Sequence, residues 1–356
     1  MTTQQIDQEK AVAFAGQMLT NLNGAAVALM CSIGHKTGLF DTMSSLPPST
    51  SQQIADAVGL NERYVREWLG AMVTGKIVEY DPERATYSLP PEHGAFLTRA
   101  AGPDNLAFFA VYLPLMGQIE EEVIECFKQG GGLSYDRYPN FQELQSEETT
   151  PIYDATLIRS VLPLAGVVER LEKGASVLDI GCGSGHAINL MARTYPNSVF
   201  TGYDFSAEGV ARAQAEAREW GLTNVRFKAR DVTNLSEVGK YDFITAFDAI
   251  HDQAKPTQVL HGIARALKDD GLFLMVDFAA SSKLEENIEH PIGPLMYTFS
   301  TVHCMSVSLA QNGEALGTAW GEQLATQKLK DAGLNHVEVQ QLEGDILHNY
   351  FVATKQ

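Results

Sequence analysis

The sequence contains few cysteines and no long apolar run. None of its apolar segments reaches the roughly 20 residues that a membrane-spanning helix needs. Its first ten residues lack the basic and apolar regions of a secretory signal. The four cysteines are scattered, without the spacing of a disulfide framework or a metal site: Cys31, Cys126, Cys182 and Cys304. We therefore expect a cytoplasmic protein with no disulfide, no bound metal and no membrane segment.

Basic residues are also scarce. The chain has 26 Lys and Arg against 44 Asp and Glu, which gives a formal net charge of −18. Proteins that bind nucleic acid normally present a basic face that displaces counterions from the phosphates. The charge therefore favours a small-molecule partner over nucleic acid.

A glycine-rich segment is the most informative feature that is present. Residues 177–185 read Val-Leu-Asp-Ile-Gly-Cys-Gly-Ser-Gly. The pattern predicts a buried parallel strand at 175–180 and a helix at 186–193. The glycines between them allow a ligand to approach the backbone beside free N–H groups at the helix start. The third glycine comes one residue too early for the dinucleotide fingerprint, which disfavours a nicotinamide-dependent dehydrogenase.

Alternating strands and helices follow the glycine turn. Asp204 ends the second predicted strand about twenty residues after the glycines, where such folds place a carboxylate on a ribose diol. Asp231 opens the loop after the third strand. Each feature alone has a plainer explanation, since Asp204 could cap the next helix and Asp231 could be a turn residue. Together they favour a cofactor site. Further strands are predicted at 241–247 and 271–277, and helices at 207–220 and 256–267.

This order of elements resembles the class I S-adenosylmethionine-dependent methyltransferases. Residues 177–185 resemble the family's first motif, and residues 335–341 and 349–355 resemble its closing β-hairpin. The resemblance implies an α/β fold with a Rossmann-like sheet and S-adenosylmethionine as the cofactor. Within the glycine loop we expect Cys182 to be a small packing residue rather than a nucleophile. The resemblance implies cofactor contacts by Asp179, Gly181, Cys182, Gly183, Asp204, Phe205, Asp231, Val232 and Phe247.

The N-terminal part predicts a winged helix. Residues 21–33 predict an apolar helix, and residues 50–58 and 62–73 predict two helices around a turn at Gly59, with Thr50 or Ser51 as the N-cap. A hairpin wing is predicted at 76–80 and 85–89. Seven acidic and four basic residues lie between positions 49 and 92, which disfavours DNA binding.

The same part resembles plant-type small-molecule O-methyltransferases, of the caffeate and isoflavone type. The resemblance lies in Ala-Ala-Val-Ala-Leu at 25–29 and Gly-Leu-Phe-Asp at 38–41. It implies a domain that dimerises and covers the substrate, and we expect the helix around Val27, Leu29 and Met30 to be buried between two subunits. The predicted division is a winged-helix domain at 1–100, connecting helices at 101–160 and a catalytic domain at 161–356.

The connecting segment is strongly apolar at 106–116 and continues at helical spacing through 119–127. A glycine-rich loop at 130–135 follows and ends at Tyr135. One interpretation is a core helix with a flexible joint. The other is a substrate-cavity wall with a hinge, which makes Tyr135 a candidate substrate contact.

His251 is the candidate general base. It lies in the loop after the strand at 241–247, and ligands of open α/β sheets bind at the carboxyl ends of the strands. The plant-type enzymes have Leu-His-Asp-Trp at this position, with the His as base; here Ile250-His251-Asp252 matches and Gln253 replaces the Trp. The alternative is a structural histidine that caps the following helix.

A long insert separates the last parallel strand from the closing hairpin. Its aromatic, Met and His residues suit an apolar pocket with a few polar contacts, although core packing explains each of them equally well. The candidate substrate contacts there are Met296, Tyr297, His303 and Trp320. The sequence thus predicts methyl transfer to an oxygen or nitrogen of a small molecule by a homodimer. The alternative is a winged-helix transcription regulator that binds S-adenosylmethionine.

Overall fold

The computed structural model describes residues 6–356. The chain forms two compact units, which divide in sequence between Gln118 and Ile119. The finer boundaries at residues 100 and 160 stay predictions. Within residues 6–356, no helix combines the length and the apolar character that crossing a membrane requires.

The first unit is mainly helical and carries one two-stranded hairpin. Its elements are α1 (Gln8–Thr37), α2 (Leu39–Ser45), α3 (Ser51–Val58), α4 (Glu62–Thr74), β1 (Glu79–Asp81), β2 (Thr86–Ser88), α5 (Pro91–Leu97), α6 (Leu106–Phe109) and α7 (Tyr112–Gln118).

The helix–turn–helix and the wing are confirmed. Thr50 caps α3 in a reciprocal capping box with Gln53, and α3 ends where Gly59 adopts a left-handed φ of 74°. Ile54 of α3 and Trp68 of α4 are buried in one core, and β1 pairs antiparallel with β2. The wing strands are shorter than predicted, at three residues each.

The first helix is longer than predicted. It begins at Gln8 rather than near residue 21, because Asp7 accepts the backbone N–H groups of Glu9 and Lys10 and so caps it. Large apolar side chains are exposed on its first turns, so the sequence there does not show the spacing of apolar residues that predicts a core-facing helix. The exposed side chains include Val12, Phe14, Leu19 and Leu22.

The second unit is an α/β unit with a long helical start. Its elements are α8 (Glu120–Gln129), α9 (Phe141–Thr156), α10 (Leu162–Leu164), α11 (Val168–Lys173), β3 (Ser176–Ile180), α12 (His186–Thr194), β4 (Val199–Asp204), α13 (Ala207–Glu219), β5 (Val225–Ala229), β6 (Tyr241–Phe247), α14 (Pro256–Ala266), β7 (Leu267–Phe278), α15 (Gly293–Phe299), α16 (Met305–Ala310), α17 (Gly321–Asp331), β8 (His336–Gln340) and β9 (His348–Thr354). Two π-helical turns, Leu157–Val161 and Ser300–Cys304, interrupt the helices.

One seven-stranded sheet organises this unit, in the order β5-β4-β3-β6-β7-β9-β8. β3 to β7 are parallel, and β9 runs antiparallel to both β7 and β8. The Rossmann-like sheet and its closing hairpin are confirmed. Apolar side chains alternate between two cores, with Val177 on one face of β3 and Leu178 on the other. The carboxyl ends of the parallel strands share one edge, which gathers the glycine turn, Asp204, the loop after β6 and Asp277.

The apolar segment at 106–127 is not one continuous core helix, which was one of its two interpretations. It forms α6, α7 and α8, of which the first two belong to the first unit and α8 to the second. Pro114 lies in the first turn of α7, the place where a helix tolerates the missing N–H. The glycine run that follows lies within the second unit, and a Cβ on Gly132 would lie 1.9 Å from the carbonyl oxygen of Ser306. This close packing argues against a flexible joint at Gly132.

Candidate active site

The glycine turn lies between β3 and α12. Gly181, Gly183 and Gly185 all have positive φ, at 68°, 52° and 75°. A Cβ on Gly181 would lie 2.5 Å from that of Ala249, and one on Gly185 would lie 2.4 Å from that of Ala213. Both the backbone conformation and the available space therefore require glycine at these two positions. Gly183 has no atom closer than 3.8 Å to a Cβ built on it, so the tip of the turn is open.

Asp204 connects the end of β4 to this turn. Its Oδ2 accepts the N–H of Gly183 at 2.8 Å, and its Oδ1 accepts the N–H of Ser206 at 2.7 Å. Burial raises the pKa of Asp204, although these two backbone hydrogen bonds act to lower it. Each carboxylate oxygen has a second lone pair, so the group can still accept from a ligand hydroxyl. Asp204 does not cap α13, since Ser206 is the N-cap residue and its hydroxyl accepts the N–H of Gly209. The role of Asp204 toward a ribose stays a prediction.

The other candidate cofactor residues surround the same edge of the sheet. Asp179 is buried, accepts the Thr245 hydroxyl at 2.7 Å, and has a pKa raised to about 7 by burial. Asp231 caps a short 3₁₀ turn by accepting the N–H of Thr233, which the turn-residue interpretation expects. The remaining four differ in exposure: Val232 is buried, Cys182 and Phe247 are half-buried, and Phe205 is exposed.

His251 is held between two carboxylates. Its Nδ1 lies 2.8 Å from Oδ1 of Asp277, at the end of β7, and its Nε2 lies 3.3 Å from Oδ1 of Asp252. The indole N–H of Trp320 donates to the same Oδ1 of Asp277 at 3.0 Å. His251 and Asp277 are 2% and 1% exposed, so this chain of contacts lies away from water.

Charge controls the protonation of His251. Burial lowers its pKa, but the charges of Asp277 and Asp252 outweigh burial and raise the pKa well above its ordinary value. No lysine or arginine pairs with either carboxylate within the described chain. The imidazolium form is therefore strongly stabilised at this position.

An aromatic group lies beside the histidine loop. The ring of Tyr135 contacts those of Phe141, Phe205 and His303, and the ring of His303 stacks on Phe141 with centroids 3.9 Å apart. The Tyr135 hydroxyl lies 3.5 Å from Oδ2 of Asp252. Burial lowers the pKa of His303 to about 4, which keeps its ring neutral. The Nε2 of His303 is buried and has no hydrogen-bond partner among residues 6–356.

The structure does not bring all predicted substrate residues to this group. Trp320 lies in a core cluster and reaches the site through Asp277. Met296 is buried, and its carbonyl oxygen accepts the hydroxyl of Thr318 at 2.8 Å. The hydroxyl of Tyr297 accepts from the side chain of Asn287 at 3.0 Å. The substrate roles of these three residues stay predictions.

Sequence reasoning missed Asp252, Asp277 and Cys304 as site residues. Asp277 ends a strand adjacent to β6, so the alignment of parallel strand ends was a usable signal. Cys304 ends the π-helical turn in the insert, and its sulfur lies within 4.8 Å of ligand atoms of His251 and Asp252. No spacing in the sequence indicates that grouping.

A second polar network follows β6. His348 lies between Asp248, 3.2 Å from its Nε2, and Asp345, 3.0 Å from its Nδ1. Tyr350 also donates to Asp345, at 2.7 Å. Asp248 has a left-handed φ of 47°, unusual for a non-glycine residue. Its Oδ1 is buried and has no hydrogen-bond partner in the described part of the chain. The network fixes the start of the loop that carries His251.

Two family models match the chain. A model described as an Rv2258c-like winged HTH domain matches residues 25–99, and a methyltransferase domain model matches residues 171–343. The second match includes the glycine turn, Asp204 and the loop with His251. Residues 171–343 therefore form a methyltransferase domain. The predicted family and its cofactor, S-adenosylmethionine, are thereby confirmed.

Known proteins similar to this methyltransferase include curated and solved examples. Malonyl-[acyl-carrier protein] O-methyltransferase of Bacillus cereus is 28% identical over 162 residues, which cover 45% of this chain and only 54% of that protein. Human N-acetylserotonin methyltransferase, solved with S-adenosylmethionine, has a TM-score of 0.69 at 15% identity and covers 100% of this chain and 99% of its own. Mitomycin 7-O-methyltransferase MmcR has a TM-score of 0.68 at 17% identity, covering 98% and 100%. At these identities the solved structures support the fold alone.

Proposed function

We propose that this protein transfers a methyl group from S-adenosylmethionine to a hydroxyl oxygen of a small, mainly apolar molecule, with His251 as the general base. The observation that carries the proposal is the contact of His251 Nδ1 with Asp277 at the carboxyl edge of the sheet. Such a carboxylate fixes the ring. The other nitrogen, Nε2, lies 3.3 Å from Oδ1 of Asp252, and a substrate hydroxyl would replace that contact.

The glycine turn and the strand ends would hold the cofactor. The open tip at Gly183 and the buried carboxylate of Asp204 suit an adenosyl ligand at the carboxyl ends of the strands. Asp231 and Val232, after β5, extend the same edge. When bound, S-adenosylmethionine supplies a methyl group that its sulfonium already activates, so the protein has to position the acceptor and remove its proton.

His251 would perform the proton removal. Because the raised pKa keeps the ring protonated, His251 must first release its own proton to solvent. The unprotonated Nε2 then accepts the acceptor's proton, and Asp277 stabilises the imidazolium that forms again. The indole N–H of Trp320 holds the carboxylate of Asp277 in place, so Trp320 acts as a positioning residue. General-base catalysis of this kind contributes typically about 10²–10⁴-fold to the rate.

The aromatic group of Tyr135, Phe141, Phe205 and His303 would contact the acceptor. Apolar rings with a few polar atoms are typical of small-molecule pockets. The neutral ring of His303 and the hydroxyl of Tyr135 supply polar contacts without adding a charge. An amine acceptor is the second candidate, since a neutral amine is nucleophilic without a base.

The remaining expectations concern the whole protein. We propose that it acts in the cytoplasm as a homodimer through α1. Of the predicted interface residues, Leu29 is exposed, whereas Val27 and Met30 pack partly against the core of the first unit, so we assign the interface to the exposed apolar side chains of α1. A regulator that only binds S-adenosylmethionine is not favoured, because that role has no use for a buried His–Asp pair beside the cofactor edge.

The test is direct detection of a methylated product. The purified protein is incubated with methyl-labelled S-adenosylmethionine and a fractionated small-molecule extract, and mass spectrometry identifies molecules that gain the label. We expect a labelled methyl ether. A product methylated on nitrogen would exclude the oxygen assignment, and binding of the cofactor with no labelled product from any fraction would argue for the regulator.

A further inference from the structure

We propose that His251, Asp252 and Cys304 form a binding site for one divalent cation of the Zn²⁺ type, and that its occupancy inhibits the enzyme. The inhibitory part rests on the proposed role of His251 as the base. This proposal departs from the sequence-based expectation of no metal, which depended on spacing along the chain alone.

The three side chains converge from two separate parts of the second unit. His251 and Asp252 lie in the loop after β6, and Cys304 lies at the end of the π-helical turn before α16. One ligand atom from each residue lies within 4.8 Å of the other two. Ligands of a tetrahedral zinc ion have bond lengths of about 2.0–2.3 Å, which requires such a grouping. Small shifts of the side chains would bring the three atoms around one ion.

Asp277 orients the histidine in the way that metal-binding histidines require. A metal-ligating histidine almost always gives its other ring nitrogen to a carboxylate or a carbonyl. Asp277 occupies Nδ1 at 2.8 Å, and Trp320 holds Asp277 in turn. Only Nε2 of His251 is then directed toward Asp252 and Cys304, with Oδ1 of Asp252 3.3 Å away.

Asp252 provides an independent indication. Its Oδ1 is buried and makes no hydrogen bond to any described residue, even though Nε2 of His251 is close. The ion pair with His251 offsets part of the cost of burying this oxygen, and a metal ion bound in its place would offset it as a direct ligand. Nε2 of His303, in the aromatic group beside it, also lacks a partner.

The donor set selects the class of ion. Imidazole, thiolate and carboxylate together suit Zn²⁺, whereas Mg²⁺ and Ca²⁺ prefer oxygen ligands alone. Zinc ligands bind without their protons, so the thiol of Cys304 would bind as a thiolate and His251 through an unprotonated Nε2. Three protein ligands leave the fourth position for water or another ligand.

His251 cannot act as a base while the site holds a metal ion, because both roles use its Nε2. A metal-bound nitrogen has no lone pair left to accept a proton from the acceptor. The site would therefore lower methyl transfer as Zn²⁺ binds and restore it when a chelator removes the ion.

The experiment measures metal binding without relying on activity. The full-length protein is treated with a chelator and titrated with Zn²⁺ against a chromophoric zinc indicator, and Co²⁺ is used in parallel because its absorption reports thiolate ligation. We expect one ion per chain and a thiolate-to-cobalt absorption band. Cys304→Ser should weaken Zn²⁺ binding at least about 10-fold and remove the band. Cys126→Ser, a cysteine outside the cluster, is the matched control and should bind like the wild type.

The outcomes separate this proposal from the proposed function. No stoichiometric binding, or equal binding by Cys304→Ser and the wild type, overturns the site; Cys304→Ala and Asp252→Asn serve as second variants if Cys304→Ser does not fold. Stoichiometric binding without any effect on a measured methyl transfer overturns the inhibition. Stoichiometric binding by a protein that methylates nothing supports the metal site and contradicts the proposed function.

Discussion

Nδ1 of His251 and Oδ1 of Asp277 lie 2.8 Å apart, although 26 residues separate the two in the sequence. The contact exists because β6 and β7 are adjacent parallel strands, so the loop after one strand meets the last residues of the other. Burial of both side chains strengthens their interaction, since water does not compete for either partner. In the proposed function this pair is the reactive position at the edge of the sheet.

Replacing Asp277 should show whether this residue orients His251 or binds the substrate. Asp277→Asn keeps the shape but removes the charge that fixes the His251 tautomer, so we expect kcat to fall about 10²-fold or more with little change in KM. Steady-state kinetics with the identified acceptor are the measurement. Trp320→Phe removes only the indole N–H donor and should produce a smaller loss in the same direction. A raised KM at unchanged kcat in Asp277→Asn would instead place Asp277 in substrate binding.

Asp204 should be required for cofactor affinity. Asp204→Ala removes a buried carboxylate that also accepts the N–H of Gly183, so we expect S-adenosylhomocysteine to bind at least about 10-fold more weakly. Titration calorimetry measures this, and circular dichroism should show a folded protein. Asp331→Ala, an exposed carboxylate on α17, is the control. Unchanged affinity in Asp204→Ala would remove Asp204 from the cofactor site.

The sheet and its cofactor edge were predictable because each depends on local pattern. Buried parallel strands are short apolar runs, and positive φ at Gly181 and Gly185 requires the residue type that the sequence displays. The closing hairpin follows from two β-branched or aromatic-rich segments near the C-terminus.

The structure of the insert between β7 and β8 could not be predicted from local pattern. His303 and Cys304 lie in a π-helical turn, which has no characteristic periodicity, and only tertiary packing brings them to Asp252. The length of α1 was underestimated because the apolar side chains of its first turns face outward. Trp320 was predicted to contact the substrate because the insert contains aromatic residues. In the structure its indole N–H donates to Asp277.

Acid should destabilise the second unit through Asp345. Burial raises the pKa of this carboxyl, but hydrogen bonds from His348 and Tyr350 outweigh burial and lower it to about 2. Because an unfolded Asp titrates near 3.9, the ionised group stabilises the folded state above about pH 4, and this contribution is lost as the pH falls toward 2. Its size is on the order of 2 kcal/mol.

Denaturant unfolding of the wild type and of Asp345→Asn between pH 3 and pH 7 measures this contribution. The difference in the free energy of unfolding between the two proteins should be largest near neutral pH and should shrink in acid. A difference that stays constant over the whole range would show that the charge of Asp345 is not involved.

The exposed apolar side of α1 should mediate dimerisation. Large exposed apolar side chains in one helix are typical of an interaction surface, and Leu19 and Leu22 are both exposed. Light scattering should give the mass of a dimer at micromolar concentration, and Leu19→Glu with Leu22→Glu should give a monomer. Phe127→Glu, an exposed apolar residue of the second unit, should remain dimeric. A monomeric wild type would contradict the role given to this helix.

His251 should be required for the chemical step and not for cofactor binding. His251→Gln keeps a polar side chain of similar size but cannot accept a proton, so kcat should fall about 10²–10⁴-fold while the affinity for S-adenosylhomocysteine stays nearly unchanged. His261→Gln, on the exposed side of α14, is the matched control. Loss of S-adenosylhomocysteine binding together with activity would mean that His251 is structural, since Asp277 would then be left buried without its partner. Full activity in His251→Gln would mean that the acceptor needs no base, and it would move the assignment of the acceptor atom from oxygen to the nitrogen of an amine.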